Sequence, residues 1–185
     1  MEPLVTAFVA ALLGGWGDKT QAVAAMFAER GRKGLLVLAL LLASLVNSLA
    51  AAFAGTLLRR ELGLPVAGLL LAIALLFAGA AGLIGEKAKA PTRRGGAFFG
   101  PLAALVAAGW GDKTQYVVAA LALYWNSFLP VAGAAWLGTL AVTLPAALGG
   151  ESFTRAAPLR PVRYLFAALF LLAGAVVALN ALHLV

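Results

Sequence analysis

Four stretches of the chain run without a charged residue: Gly34 to Leu58, Leu62 to Gly85, Trp125 to Gly150 and Tyr164 to Val185. Each exceeds the ~20 apolar residues that a helix needs to cross the hydrocarbon core of a bilayer. Two more, Leu4 to Ala28 and Gly95 to Tyr124, follow the same pattern apart from one Asp-Lys pair in each. The pattern predicts an all-α integral membrane protein with six transmembrane helices. The first stretch has only Glu2 ahead of its apolar run and no basic flank, so it is expected to be a permanent helix rather than a cleaved signal.

Composition agrees with this class and excludes others. Of the residues, 63% are hydrophobic and 11% charged, where soluble domains carry about a quarter charged. The absence of cysteine excludes disulfides and thiolate metal sites. A net charge of +7 would suggest a nucleic-acid partner in a soluble protein, but here its distribution speaks to topology. Arg30, Arg32, Lys33, Lys87, Lys89, Arg93, Arg94, Arg155, Arg160 and Arg163 follow the first, third and fifth stretches, whereas only Arg59 and Arg60 lie on the other side. Lys and Arg gather in cytoplasmic loops. Both termini are therefore expected outside, in the periplasm if the membrane is a bacterial inner membrane. The expected partner is the lipid bilayer, with no nucleic acid; association into a homo-oligomer stays open.

The two interrupted stretches carry the chemistry. Gly15-Trp16-Gly17-Asp18-Lys19-Thr20-Gln21 recurs without change as Gly109-Trp110-Gly111-Asp112-Lys113-Thr114-Gln115. The repetition divides the chain into a first three-helix repeat, residues 1–86, and a second, residues 97–185, joined by a basic cytoplasmic linker at 87–96. Three helices per repeat is an odd number, so the second repeat is expected to enter from the opposite face. Inverted repeats of that kind hold their sites near the midplane at the repeat interface. Asp18 and Asp112 fall near the middle of their stretches. A charge at that depth costs at least about 2.5–3.5 kcal/mol, so such residues face a bundle interior or water and mark a functional site by default.

On a helix, Gly15, Asp18 and Gln21 share one face and Trp16, Lys19 and Thr20 another. Asp supplies a hard anionic oxygen and Gln and Thr supply neutral ones, a set suited to Mn²⁺, Ca²⁺, Mg²⁺ or Na⁺. Asp18, Gln21, Asp112, Gln115, Thr20 and Thr114 are therefore the candidate cation ligands. Ser44 and Asn47 on the second helix and Thr143 on the fifth are supporting candidates, with Lys19 and Lys113 as the neighbouring charges. Trp16 and Trp110 are expected to pack beside the site. No resident cofactor is expected, because the cation is cargo.

With these residues the chain resembles the GDT-type membrane proteins, a family of manganese and calcium cation–proton exchangers. Their signature is two copies of Glu-x-Gly-Asp-(Lys/Arg)-(Ser/Thr), usually followed by Gln, one per three-helix repeat. The match covers Gly17 to Gln21 and Gly111 to Gln115, and the apolar pattern extends it over essentially the whole chain. The resemblance implies a secondary transporter that moves a cation, Mn²⁺ or Ca²⁺ first among the candidates, in exchange for protons. The chain departs from the family at the motif Glu, which is Gly15 in one copy and Gly109 in the other. In the family the Glu and Asp of both copies are thought to form the cation site. With two aspartates against two lysines the formal charge here is zero. A weakly bound divalent ion, a monovalent cation and missing oxygens supplied by backbone carbonyls all stay open.

The same residues also admit readings from other classes. Gly-x-Gly-Asp also resembles the signature of intramembrane aspartyl proteases, whose paired acids share a proton. A lysine beside each aspartate opposes such sharing, and so does identity that runs on through Lys-Thr-Gln. Crossed pairs, Asp18 with Lys113 and Asp112 with Lys19, would staple the repeats together without transport. An exporter of small solutes is a further alternative, with no dedicated pocket residues to support it.

Overall fold

In hydrocarbon the backbone N–H and C=O groups find partners only within the chain, so apolar stretches of this length become helices. The computed structural model describes residues 1–29, 32–84, 96–156 and 159–182. Most of the 87–96 linker and Arg30 lie outside those residues, as does His183. The helices in chain order are α1 (Glu2–Gly15), α2 (Lys19–Ala28), α3 (Lys33–Leu58), α4 (Leu64–Ile84), α5 (Gly96–Gly109), α6 (Lys113–Trp125), α7 (Phe128–Ala156) and α8 (Leu159–Ala181). Among the described residues that makes eight helices where six were expected. Four of them, α3, α4, α7 and α8, are long and apolar enough to cross a membrane, and α1 and α5 are shorter apolar helices.

The two additional helices arise at the two motifs, and a separate kink at Gly150, with φ 59° and ψ −140°, interrupts α7. Each motif breaks its helix instead of continuing it: α1 ends at Gly15 and α2 begins at Lys19, just as α5 ends at Gly109 and α6 begins at Lys113. Gly17 and Gly111 turn the chain with φ of 69° and 68°, a left-handed conformation that costs any residue with a Cβ ~1–2 kcal/mol. The face-sharing expected from a continuous helix therefore does not apply. Gly15, Asp18 and Gln21 sit before, at and after a break.

The halves pack mainly on each other rather than within themselves. α1 and α2 lie on α7, α5 and α6 lie on α3, and α4 lies on α8, with α3 also against α7. Small side chains make this possible, since close approach drives helix association where lipid is as apolar as the helices. The α4–α8 contact is reciprocal. A Cβ at Gly79 would meet Leu171 at 2.6 Å and one at Gly174 would meet Leu76 at 2.9 Å, so each leucine occupies the other helix's glycine notch. Ala-rich clusters fill the interior, and within it a few buried polar residues stand out: Asp18, Gln21, Ser44, Ser48, Asp112, Lys113 and Thr143.

Candidate functional site

The motif chemistry first builds the break. Asp18 and Asp112 are the N-caps of α2 and α6, and each uses Oδ2 to accept the backbone N–H two residues on, from Thr20 at 3.3 Å and from Thr114 at 3.2 Å. An aspartate there satisfies one of the helix's orphan donors and meets the positive end of its dipole. Gln21 and Gln115, at the third position of each helix, reach back in the manner of a capping box. Gln21 Oε1 accepts from Gly17 N–H at 2.9 Å, and Gln115 Oε1 accepts from Gly111 N–H at 2.7 Å. Their amide nitrogens donate across the interface between halves, Gln21 to Val142 O at 3.0 Å and Gln115 to Asn47 O at 3.5 Å. The geometry thus gives both glutamines a structural part: the oxygens expected to ligate a cation are engaged in holding the breaks.

Capping takes one oxygen of each aspartate and leaves the other, and here the two copies diverge. Asp18 Oδ1 accepts from Lys113 Nζ at 2.6 Å, a buried ion pair between the halves. This is one of the two crossed pairs expected from the sequence. Asp112 Oδ1 is buried without a hydrogen-bond partner. Both carboxylates are 4% exposed, so neither is solvated from outside.

The aspartates line one small cavity of about 50 Å³, enough for a few waters at ~10–15 Å³ each. Thr20 enters it beside Asp18, and Thr114 and Gln115 enter beside Asp112; α3 contributes Ser44, Asn47 and Ser48, and α7 contributes Thr139 and Thr143. Among the candidate ligands only Gln21 is missing from this lining. Ser44 and Thr143 donate their hydroxyls to Leu40 O and Thr139 O, both at 2.7 Å, leaving their lone pairs available. Besides Asp112 Oδ1, two more oxygens of the lining are buried without partners, Asn47 Oδ1 and Thr114 Oγ1. Gly14 makes room for that threonine, because a Cβ there would come within 2.7 Å of Thr114 Oγ1.

Two features were not legible in advance. Trp16 buries its indole nitrogen, whereas Trp110 is 62% exposed and does not pack beside the cavity as expected. Arg163 of α8 covers the first break, its Cβ and Cδ each 3.5 Å from a Cβ placed on Gly17, while Gly111 meets nothing nearer than Tyr116 Oη at 4.0 Å. No local signal in the sequence ties Arg163 to Gly17, since the contact is made by packing alone.

Buried carboxylates at helix breaks, facing a polar cavity between two interlocked sets of apolar helices, mark a multi-pass membrane protein that handles ions. The comparison with protein families makes the assignment specific. The model of the divalent cation/proton antiporter GDT1 family matches residues 3–90 and again 97–184, and the chain belongs to that family. No curated protein and no solved structure gives a match. The family's members are antiporters, not enzymes, which removes the protease alternative.

Proposed function

We propose that the chain exchanges a divalent cation, Mn²⁺ or Ca²⁺, for protons across the membrane through the cavity between Asp18 and Asp112. The observation that carries this reading is Asp112 Oδ1, a carboxylate oxygen buried without a partner beside two further unpartnered oxygens. Hard oxygen donors of this kind suit a hard cation. A carboxylate that loses its cation in a low-dielectric cavity favours proton uptake. Competition between metal and proton for one oxygen couples the two gradients.

In this reading α1 with α2 forms one span and α5 with α6 another. The chain then has six spans in two inverted three-helix repeats, 1–86 and 97–185, joined by the 87–96 linker. The reciprocal packing of α4 on α8 and the matched bonds from Gln21 and Gln115 support that symmetry. Rocking one repeat against the other exposes the cavity to each side in turn. The Asp18–Lys113 pair spans the interface that must move. Both termini lie outside, in the periplasm of a bacterial inner membrane.

An ion-selective flux assay in proteoliposomes, run with Mn²⁺, Ca²⁺ and Na⁺ and an imposed pH gradient, tests the assignment. Uptake of Mn²⁺ or Ca²⁺ accelerated by the pH gradient is the expected result. Na⁺ flux in place of both divalent ions would overturn it.

A further inference from the structure

We propose that Asn47 is a cation ligand of this cavity and that it occupies the volume a side chain at position 109 would otherwise fill. The inference rests on the transport site proposed above and goes on to identify which residues set its selectivity.

The geometry begins at Gly109, the last residue of α5. A Cβ built there would collide with Asn47 Nδ2 and lie 3.1 Å from Asn47 Cγ, so the amide of α3 rests against the bare glycine. Asn47 Nδ2 donates to Val106 O at 3.4 Å. That carbonyl also accepts from Trp110 N–H at 3.0 Å, and because it can only accept, an amide oxygen placed against it would be repelled; this keeps the nitrogen on the α5 side and leaves Oδ1 on the other. Oδ1 is buried without a partner, as are Asp112 Oδ1 and Thr114 Oγ1, and all three residues line the same cavity. Three oxygens with no protein donor on residues around one small cavity form the kind of hard donor set that a cation takes.

The first copy shows what the second would be without this residue. Gly15 has Val142 beside it, at 3.7 Å from a placed Cβ, so an apolar side chain stands where Asn47 stands opposite Gly109. There the aspartate is already neutralised by Lys113. The cavity therefore has a closed side, at Asp18, and a ligating side, made of one carboxylate, one amide oxygen and one hydroxyl. Charge count among the ligands sets the affinity of an oxygen site for a divalent ion. A set with a single carboxylate binds divalent cations weakly, and positions 47 and 109 hold the space in which a second acid would strengthen it.

The test is Mn²⁺ binding to the purified full chain, with thermal melting in detergent as the control for folding. Asn47→Val copies the side chain that the fold already carries opposite Gly15. It is expected to melt like the native protein and to bind Mn²⁺ about tenfold or more weaker. Gly109→Glu alone is expected to lower the melting temperature, because Glu and Asn47 compete for one volume. Gly109→Glu combined with Asn47→Ala is expected to recover stability and to bind Mn²⁺ tighter than the native protein. Native affinity in Asn47→Val would overturn the inference, as would Gly109→Glu behaving alike with and without Asn47→Ala. Asp112→Asn, measured alongside, separates the two claims. If it loses binding while Asn47→Val keeps it, only the role of Asn47 fails; if it also binds normally, the transport site itself is wrong.

Discussion

The two aspartates are identical in motif and unequal in circumstance, and the difference makes predictions residue by residue. Asp18 is committed twice, to the cap of α2 and to Lys113, whereas Asp112 caps α6 and keeps Oδ1 unbonded. Removing one partner of a buried ion pair costs about 3–5 kcal/mol, because a charge is stranded. Lys113→Met should therefore lower the melting temperature in detergent, and adding Asp18→Asn should return much of the loss. Additive effects in that double-mutant cycle would show that the pair contributes nothing as a pair. Asp112→Asn keeps the cap oxygen and should leave the melting temperature unchanged while abolishing transport. The motif glycines also part company. Gly15→Glu places its Cβ in ordinary contact with Val142 and should fold, whereas Gly109→Glu meets Asn47. The sequence showed that both motif acids were replaced by glycine. It offered no means of seeing that one vacancy is open and the other filled, because Asn47 reaches Gly109 only through packing of α3 on α5.

At the scale of elements, the long apolar runs predict helices and the structure has them, whereas the motifs, which the same pattern predicts to be helix interior, break the chain. The signal for a break was nonetheless present. Asp followed three residues later by Gln is a helix-start pattern, and it comes directly after a glycine. Hydrophobic periodicity hid it, since α1 and α2 together have the length of one span. Charge at the middle of a span singled out Asp18 and Asp112, which the structure buries against one cavity, but did not reveal the backbone around them. The break predicts a graded cost. Gly17→Ala and Gly111→Ala should each destabilise by ~1–2 kcal/mol for the left-handed turn. Gly17→Ala should lose more, because its Cβ would also press to 3.3 Å from Leu159 O and against Arg163. Equal melting temperatures for the two variants would mean that α8 does not bear on the first break. Gln21→Leu removes a bond to Gly17 and another to Val142 and should loosen α2 against α7.

For the whole molecule, the repeated motif points to two halves, in keeping with the family match over 3–90 and 97–184, and three spans per half, as proposed above, would invert one against the other. What the sequence left out is that the halves interlock, each motif resting on the other half's helix, so that the site belongs to neither alone. The proposed membrane sidedness rests on the basic loops. A thiol reagent that does not cross membranes should label Glu61→Cys from outside and Gly34→Cys only from the cytoplasmic side; the opposite pattern would reverse the orientation. The central claim is that metal and proton compete for one buried carboxylate, and it is tested most directly by recording Mn²⁺ and internal pH together in proteoliposomes of the native protein and of Asp112→Asn. The account predicts that an Mn²⁺ gradient drives protons the opposite way in the native protein, and that Asp112→Asn abolishes both movements. Native-rate Mn²⁺ transport by Asp112→Asn, or Mn²⁺ movement with no change in internal pH, would contradict it.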